Sequence, residues 1–208
     1  MTKTPAKIAV VDDDPSVRQA FARLLRTDGH HVEVFGCARE LLAHPGLVGF
    51  SCILLDVNLP DLDGLNLQAA LAELDYTPPI VFITGHGDIP LAVRAIQAGA
   101  VDFLAKPCAA DRILDAVARA LRMDVERRSR HRVRAAERAR LACLTPREQQ
   151  VLAGVVAGLR NKQIAANLGI SEKTVKVHRC HIMEKLNVRS VAELVRIDVE
   201  SQADTAPP

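Results

Sequence analysis

Five short apolar runs recur along the first half of the chain: KIAVVD (7–12), HVEVF (31–35), CILLD (52–56), PIVFIT (79–84) and VDFLAK (101–106). The segments between them carry apolar residues at helical spacing: 15–28 (Val17, Phe21, Leu24, Leu25), 38–44, 64–74 (Leu65, Leu67, Leu71, Leu74), 89–98 and 109–122. Near-continuous apolar strands imply burial on both faces, and strands alternating with helices of this size imply βαβ crossovers. The pattern predicts an α/β domain over 1–122, a (βα)5 doubly wound parallel sheet. The AGA of 98–100 supplies a glycine stop after the fourth helix.

Past residue 109 the helical spacing continues through Ile113, Val117, Leu121 and Val125, then dissolves into ERRSRHRVRAAERAR. This predicts that the last helix runs out of its domain as a long, basic, solvated linker helix over 123–140. Residues 145–200 are helical in pattern, in TPREQQVLAGVVAG, NKQIAANLG, SEKTVKVHRCHIMEKL and SVAELVRIDVE, which predicts a small all-α domain over 141–200. The tail 201–208, SQADTAPP, is expected to be disordered.

Charge follows the same division. Residues 1–122 carry 11 Lys+Arg against 15 Asp+Glu, a net of −4, whereas 123–208 carry 16 against 10, a net of +6. A basic half suits a nucleic-acid partner, although a solvated basic face is the commoner cause. No apolar stretch approaches the roughly 20 residues that span a bilayer, so the reading is a soluble protein without signal peptide or membrane partner. Cys37, Cys52, Cys108, Cys143 and Cys180 are scattered and odd in number, which reads as reduced thiols in a cytoplasmic chain.

In an open parallel sheet, ligands bind beyond the carboxyl ends of the strands. Asp12 and Asp13 end the first run, Asp56 the third, Thr84 the fourth and Lys106 the fifth. Adjacent carboxylates raise one another's pKa unless a cation or donors sit among them. An all-oxygen set suits a hard divalent ion such as Mg2+, and a hydroxyl with an ammonium suits phosphoryl oxygens. Asp14 followed by Pro15 reads as a helix cap with Pro at the first position. Asp61 and Asp63 read as turn or cap residues; a calcium loop fails because Ala70 stands where the bidentate Glu belongs. A haloacid-dehalogenase-type phosphatase would want Asp-x-Asp, and DVN at 56–58 does not comply.

The ordered motifs VVDDD, LLDVNLPDLDG, ITGHGDIP and AGAVDFLAKP resemble the receiver domain of two-component response regulators. The resemblance implies Asp56 as phosphoacceptor and Mg2+ held by Asp13 and Asp56, with Asp12 acting largely through water and Asn58 contributing its main-chain carbonyl. It further implies Thr84 and Lys106 as phosphoryl contacts, Phe103 as a switch aromatic, and a cis Lys106–Pro107 bond. Cys108 departs from the aromatic common after that Lys-Pro.

In the second half, at about 100° per residue from Lys173, Val175, His178, Ile182 and Leu186 fall near 200°, 140°, 180° and 220°. Lys176, Val177, Cys180 and Glu184 lie within about 60° of Lys173 on the opposite face. An apolar Val177 on a polar face can meet a thymine methyl. REQQVL, NKQIA, LGIS, TVKVH and KLNV resemble the LuxR-type helix-turn-helix domain, with helices expected at 161–168 and 171–186 and Gly169 in the turn. The resemblance places Lys176, Val177 and Cys180 at base edges, and Lys162, Lys173, Thr174, Arg179 and Lys185 at phosphates. The stripe Val191, Leu194, Val195 and Val199 suits either intradomain packing or pairing with a second copy.

The whole arrangement is similar to the FixJ group, including StyR-like members. That implies a regulator phosphorylated by a cognate sensor histidine kinase, homodimeric when phosphorylated, bound to promoter double-stranded DNA and acting with RNA polymerase. It would be no enzyme beyond its own phosphotransfer and dephosphorylation. The rival readings are a constitutive DNA-binding protein and a Mg2+-dependent phosphatase.

Overall fold

The computed structural model describes residues 5–85 and 89–202, so the HGD segment 86–88 of the ITGHGDIP motif lies outside the described residues. The first half alternates as β1 (Lys7–Val11), α1 (Pro15–Thr27), β2 (His31–Phe35), α2 (Ala38–Leu42), β3 (Cys52–Leu55), α3 (Gly64–Ala72), β4 (Ile80–Thr84), α4 (Ile89–Gln97), β5 (Asp102–Ala105) and α5 (Ala110–Leu141). The five strands form one sheet in the order β2-β1-β3-β4-β5, and every pairing is parallel.

Strand side chains alternate between faces, and both faces are covered. Ala9, Val11, Ile53, Leu55, Ile80 and Phe82 pack in one core with Leu67, Leu71 and Ala95. Ile8, Val10, Leu54, Val81 and Ile83 pack in the other with Ala22, Leu25, Ile113 and Val117. Double burial explains why the strands read as continuous apolar runs. Asp14 caps α1, its Oδ1 accepting from Ser16 N at 2.7 Å and Val17 N at 3.3 Å, with Pro15 beginning the helix.

α5 is one continuous helix, and it belongs to two compact units, Met1–Arg128 and Ser129–Pro208. The first unit therefore extends beyond 122, and a charged cluster accounts for the extension. Asp124 is buried on α5, and Arg128 Nε donates to both its oxygens at 3.0 and 2.9 Å. Arg128 Nη2 also donates to the carbonyls of Val48 and Phe50 at 3.0 and 2.7 Å. Its guanidinium lies 4.5 Å from the ring centre of Tyr76, whose hydroxyl donates to Asp124 at 2.5 Å. Burial and the Asp124 carboxylate both push the Tyr76 phenol up, so it remains a donor.

Removing the cation from such a pair leaves a buried charge uncompensated. Arg128→Gln is expected to cost about 2 kcal/mol, below the roughly 3–5 of fully buried pairs because Arg128 keeps some water contact. Urea unfolding of the first unit within the full chain measures this, and a midpoint equal to wild type would contradict it.

The second unit continues with α6 (Pro146–Val156), α7 (Asn161–Leu168), α8 (Glu172–Lys185) and α9 (Val191–Gln202). Val151, Leu152, Ile164, Val175, Ile182, Leu186, Leu194 and Ile197 share its core. Gly169 ends α7 in the left-handed conformation, φ 63°, and Ser171 caps α8 through Thr174 N. The expected apolar stripe of α9 divides: Leu194 enters the core together with Ile197, while Val191 and Val199 face solvent.

Candidate functional site: an acidic pocket and a helix-turn-helix

The register of the sheet brings the acids together. β1 pairs with β3 so that Val11 lies beside Leu55, and Asp56 N donates to Val11 O at 2.8 Å. Asp12 and Asp56 thus leave adjacent strands at the same level, where the strand order reverses direction. β4 and β5 end together, with Thr84 beside Ala105 and Lys106 N on Thr84 O at 2.8 Å. Lys106 then extends its ammonium across the pocket, with Nζ 2.6 Å from Asp12 Oδ2 and 2.6 Å from Asp56 Oδ2. The following Lys106–Pro107 peptide is cis.

Burial and the Lys106 ammonium act against each other in the pocket's electrostatics. Burial raises the Asp12 carboxyl above its ordinary value, against the lowering effect of Lys106 and the Asp14 amide. For Lys106, burial pulls the ammonium down, but its hydrogen bonds to Asp12 and Asp56 outweigh this and the net shift is upward. Asp56 also accepts from Asn58 N at 3.2 Å. Asp13 is exposed, and its carboxylate has no hydrogen-bond or ion-pair partner among the described residues.

One carboxylate oxygen from each of Asp12, Asp13 and Asp56 lies within 4.8 Å of the others. Three hard oxygen donors at that spacing, one of them without another partner among the described residues, fit a divalent cation. Thr84 is fully buried at the end of β4. Phe103 is half-buried on β5, its ring centre 6.0 Å from that of Phe82. Asn58 is exposed in the loop after β3.

Three features of this pocket escape a reading by motif. Gly64 opens α3 so close to β3 that a Cβ there would stand 2.7 Å from the Asp56 carbonyl oxygen and 2.9 Å from Val57 Cα. Only glycine lets the helix start there without moving the Asp56 backbone. Asp61 accepts from Ala38 N and Arg39 N at 3.0 and 2.8 Å, so it caps α2, whose own N-cap residue Cys37 makes no side-chain cap bond. Arg18 reaches back from α1 to the main chain of the acidic loop.

In the second unit, α7, the Gly169 turn and α8 form the helix-turn-helix. Val175 and Ile182 are buried, while Lys173, Lys176, Val177 and Cys180 are exposed on the opposite face of α8 and Lys162 is exposed on α7. Thr174 pairs its hydroxyl with Ser171 at 2.8 Å, and Arg179 Nη1 donates to Asn161 Oδ1 at 2.8 Å, fastening α8 to the start of α7.

Lys185 is exposed near the end of α8 and also has a partner within its own unit. Its Nζ is 2.7 Å from Oε2 of buried Glu148, which closes the capping box of α6 with Thr145. Lys185, then the Thr145 amide, hold the Glu148 carboxyl down to about 2.

Both units match known proteins. Residues 8–118 match the response regulator receiver domain, and 142–197 match the bacterial regulatory proteins of the luxR family. Nodulation protein W of Bradyrhizobium diazoefficiens is 48% identical over 93% of this chain and 86% of its own length. Transcriptional regulatory protein FixJ of the same organism is 42% identical over 93% of this chain and 95% of its own. The low-resolution structure of the response regulator StyR superposes with a TM-score of 0.68 at 46% identity, covering 94% of this chain and 98% of that one. Two family models in series, and relatives aligned across nearly the whole length, give one conclusion: the chain belongs to the two-component response regulators that join a receiver domain to a LuxR-type DNA-binding domain.

Proposed function

We propose that Asp56 accepts a phosphoryl group from a sensor histidine kinase and that the resulting change at the receiver surface controls binding to promoter DNA. The observation that carries this is the ammonium of Lys106 shared between Asp12 and Asp56, beside an Asp13 carboxylate that has no partner among the described residues. Asp12, Asp13 and Asp56, with the main-chain carbonyl of Asn58, would hold Mg2+, which supplies charge neutralisation for the phosphoryl oxygens when bound. An Asp56 oxygen bonds to phosphorus as the bond to the donor imidazole nitrogen breaks, and that nitrogen takes up a proton. Lys106, already hydrogen-bonded to Asp56, moves its bond onto the phosphoryl oxygens, and the Thr84 hydroxyl turns to join it. The chain's chemistry is confined to gaining and losing this group.

The added charge is about −1.5 to −2. Thr84 drawn toward it leaves space beside β5, into which Phe103 turns, and the face of α4 and β5 changes shape. α4 already presents an apolar row there, with Ile89 81%, Val93 47% and Ile96 46% exposed. This face pairs two phosphorylated chains, so that two helix-turn-helices meet two half-sites. Shifting the active fraction from 1% to 99% requires about 5.5 kcal/mol of preference. The dimer works in the cytoplasm and acts on RNA polymerase at the promoter. Among the described residues no helix is long and apolar enough to cross a membrane.

On α8, Lys176, Val177 and Cys180 face base edges, and Lys173, Thr174, Arg179 and Lys185, with Lys162 of α7, contact phosphates. Phosphate contacts set affinity and salt dependence, while base contacts set sequence. Analytical ultracentrifugation of wild type and Asp56→Asn, with and without a small phosphodonor, tests the pairing. Dimers are expected only in wild type with donor; equal dimerisation of wild type without donor would remove phosphorylation from the scheme.

A further inference from the structure

We propose that Arg18 is a positioning residue for the acidic pocket: its guanidinium grips the main-chain carbonyls of Asp12 and Asp13 and thereby aims the Asp13 carboxylate at a divalent cation. The inference rests on reading Asp12, Asp13 and Asp56 as a cation site.

The geometry begins with the cap of α1. Asp14 and Pro15 start the helix, and Arg18 N donates to Asp14 O at 3.0 Å, so Arg18 stands one turn into it. Helical side chains lean toward the N-terminus. A long side chain at this position therefore falls back over the loop that precedes the helix. Nη1 of Arg18 donates to Asp12 O at 2.5 Å and Asp13 O at 3.0 Å. The remaining acids are held through their side chains, Asp12 by Lys106 and the Asp14 amide, Asp56 by Lys106 and the Asn58 amide. Asp13 has no such restraint among the described residues, and the bond to its carbonyl is the contact that orients it. Arg18 reaches the pocket through the backbone and touches none of the carboxylates.

Two effects of Arg18 on a cation have opposite signs. As a charge it repels the ion, so its removal would tighten binding. As an orienting group it lowers the entropic cost of presenting Asp13, so its removal would weaken binding, and outer partners of metal ligands are typically worth about 10–100-fold in affinity. The sign of the change distinguishes them.

The test follows Mg2+ titration of the isotopically labelled full chain by the amide resonances of residues 12–18, with thermal unfolding measured alongside. Arg18→Gln is expected to weaken Mg2+ binding about tenfold. Arg18→Lys keeps the charge on a shorter, unforked group and is expected to fall between Gln and wild type. Unchanged or tighter Mg2+ binding in Arg18→Gln overturns the proposal, whether or not the thermal midpoint falls. A wild-type chain that binds no Mg2+ overturns the cation site itself, a result separable from the first.

Discussion

Asp13→Ala is expected to abolish Mg2+-dependent phosphorylation of Asp56, whereas Asp14→Ser, one residue on, leaves it nearly intact. The three consecutive acids at the end of β1 are not equivalent in space. Asp12 is buried and tied to Lys106. Asp13 carries the exposed carboxylate that no described partner occupies, within 4.8 Å of the other two ligand atoms. Asp14 turns away to cap α1, and its two amide hydrogen bonds hold its carboxyl below the ordinary value. Serine caps helices about as well as aspartate, so the Ser variant keeps the helix start and every ligand. Intact-protein mass after incubation with acetyl phosphate and Mg2+ measures both variants. Phosphorylation of Asp13→Ala at the wild-type rate would remove Asp13 from the site.

The second large effect belongs to α8. Val177→Ser and Lys176→Ala are each expected to reduce discrimination between a selected binding sequence and random DNA by about 1 kcal/mol or more, with the salt dependence barely changed for Val177→Ser. Lys173→Ala is expected to weaken binding to both DNAs alike and to lower the slope of log affinity against log salt by about 0.9. The difference follows from placement: Val177 is 46% exposed on the face opposite the buried Val175 and Ile182, where part of its apolar surface is left to a partner. Arg179→Ala should cost more than one phosphate contact, because it also releases Asn161 and the start of α7. Fluorescence anisotropy at several salt concentrations separates the two classes. Equal loss of specificity from Lys173→Ala and Val177→Ser would contradict the assignment of faces.

Much of this was legible in the chain because each strand is buried on both faces and each helix has one apolar side. Those two patterns locate β1 to β5 within a residue at either end, and strand ends in a parallel sheet must converge on one edge. That is why Asp12, Asp56, Thr84 and Lys106 could be grouped across the length of the domain. Groups whose roles depend on tertiary partners were not legible. Asp124 and Arg128 sit in a charged run that reads as a solvated linker, yet Asp124 is buried because Tyr76 and Arg128 satisfy it. Lys185 reads as one more surface cation until Glu148 is found beneath it. Asp61 lies far along the chain from the helix it caps, and Arg18 acts on backbone atoms that no side-chain pattern records. In α9 the heptad-like spacing of valines suggested one stripe, but the helix turns Leu194 and Ile197 inward and leaves Val191 and Val199 outside.

The central claim is that the Asp56 carboxylate is where the phosphoryl group is received. Borohydride reduction of the phosphorylated chain converts an acyl phosphate to an alcohol, and peptide mass analysis then locates it. The expected result is a single reduced residue at position 56, formed only with Mg2+ present and absent from Asp56→Asn. Reduction mapping to another residue of wild type, or phosphoryl uptake by Asp56→Asn equal to wild type, would contradict it.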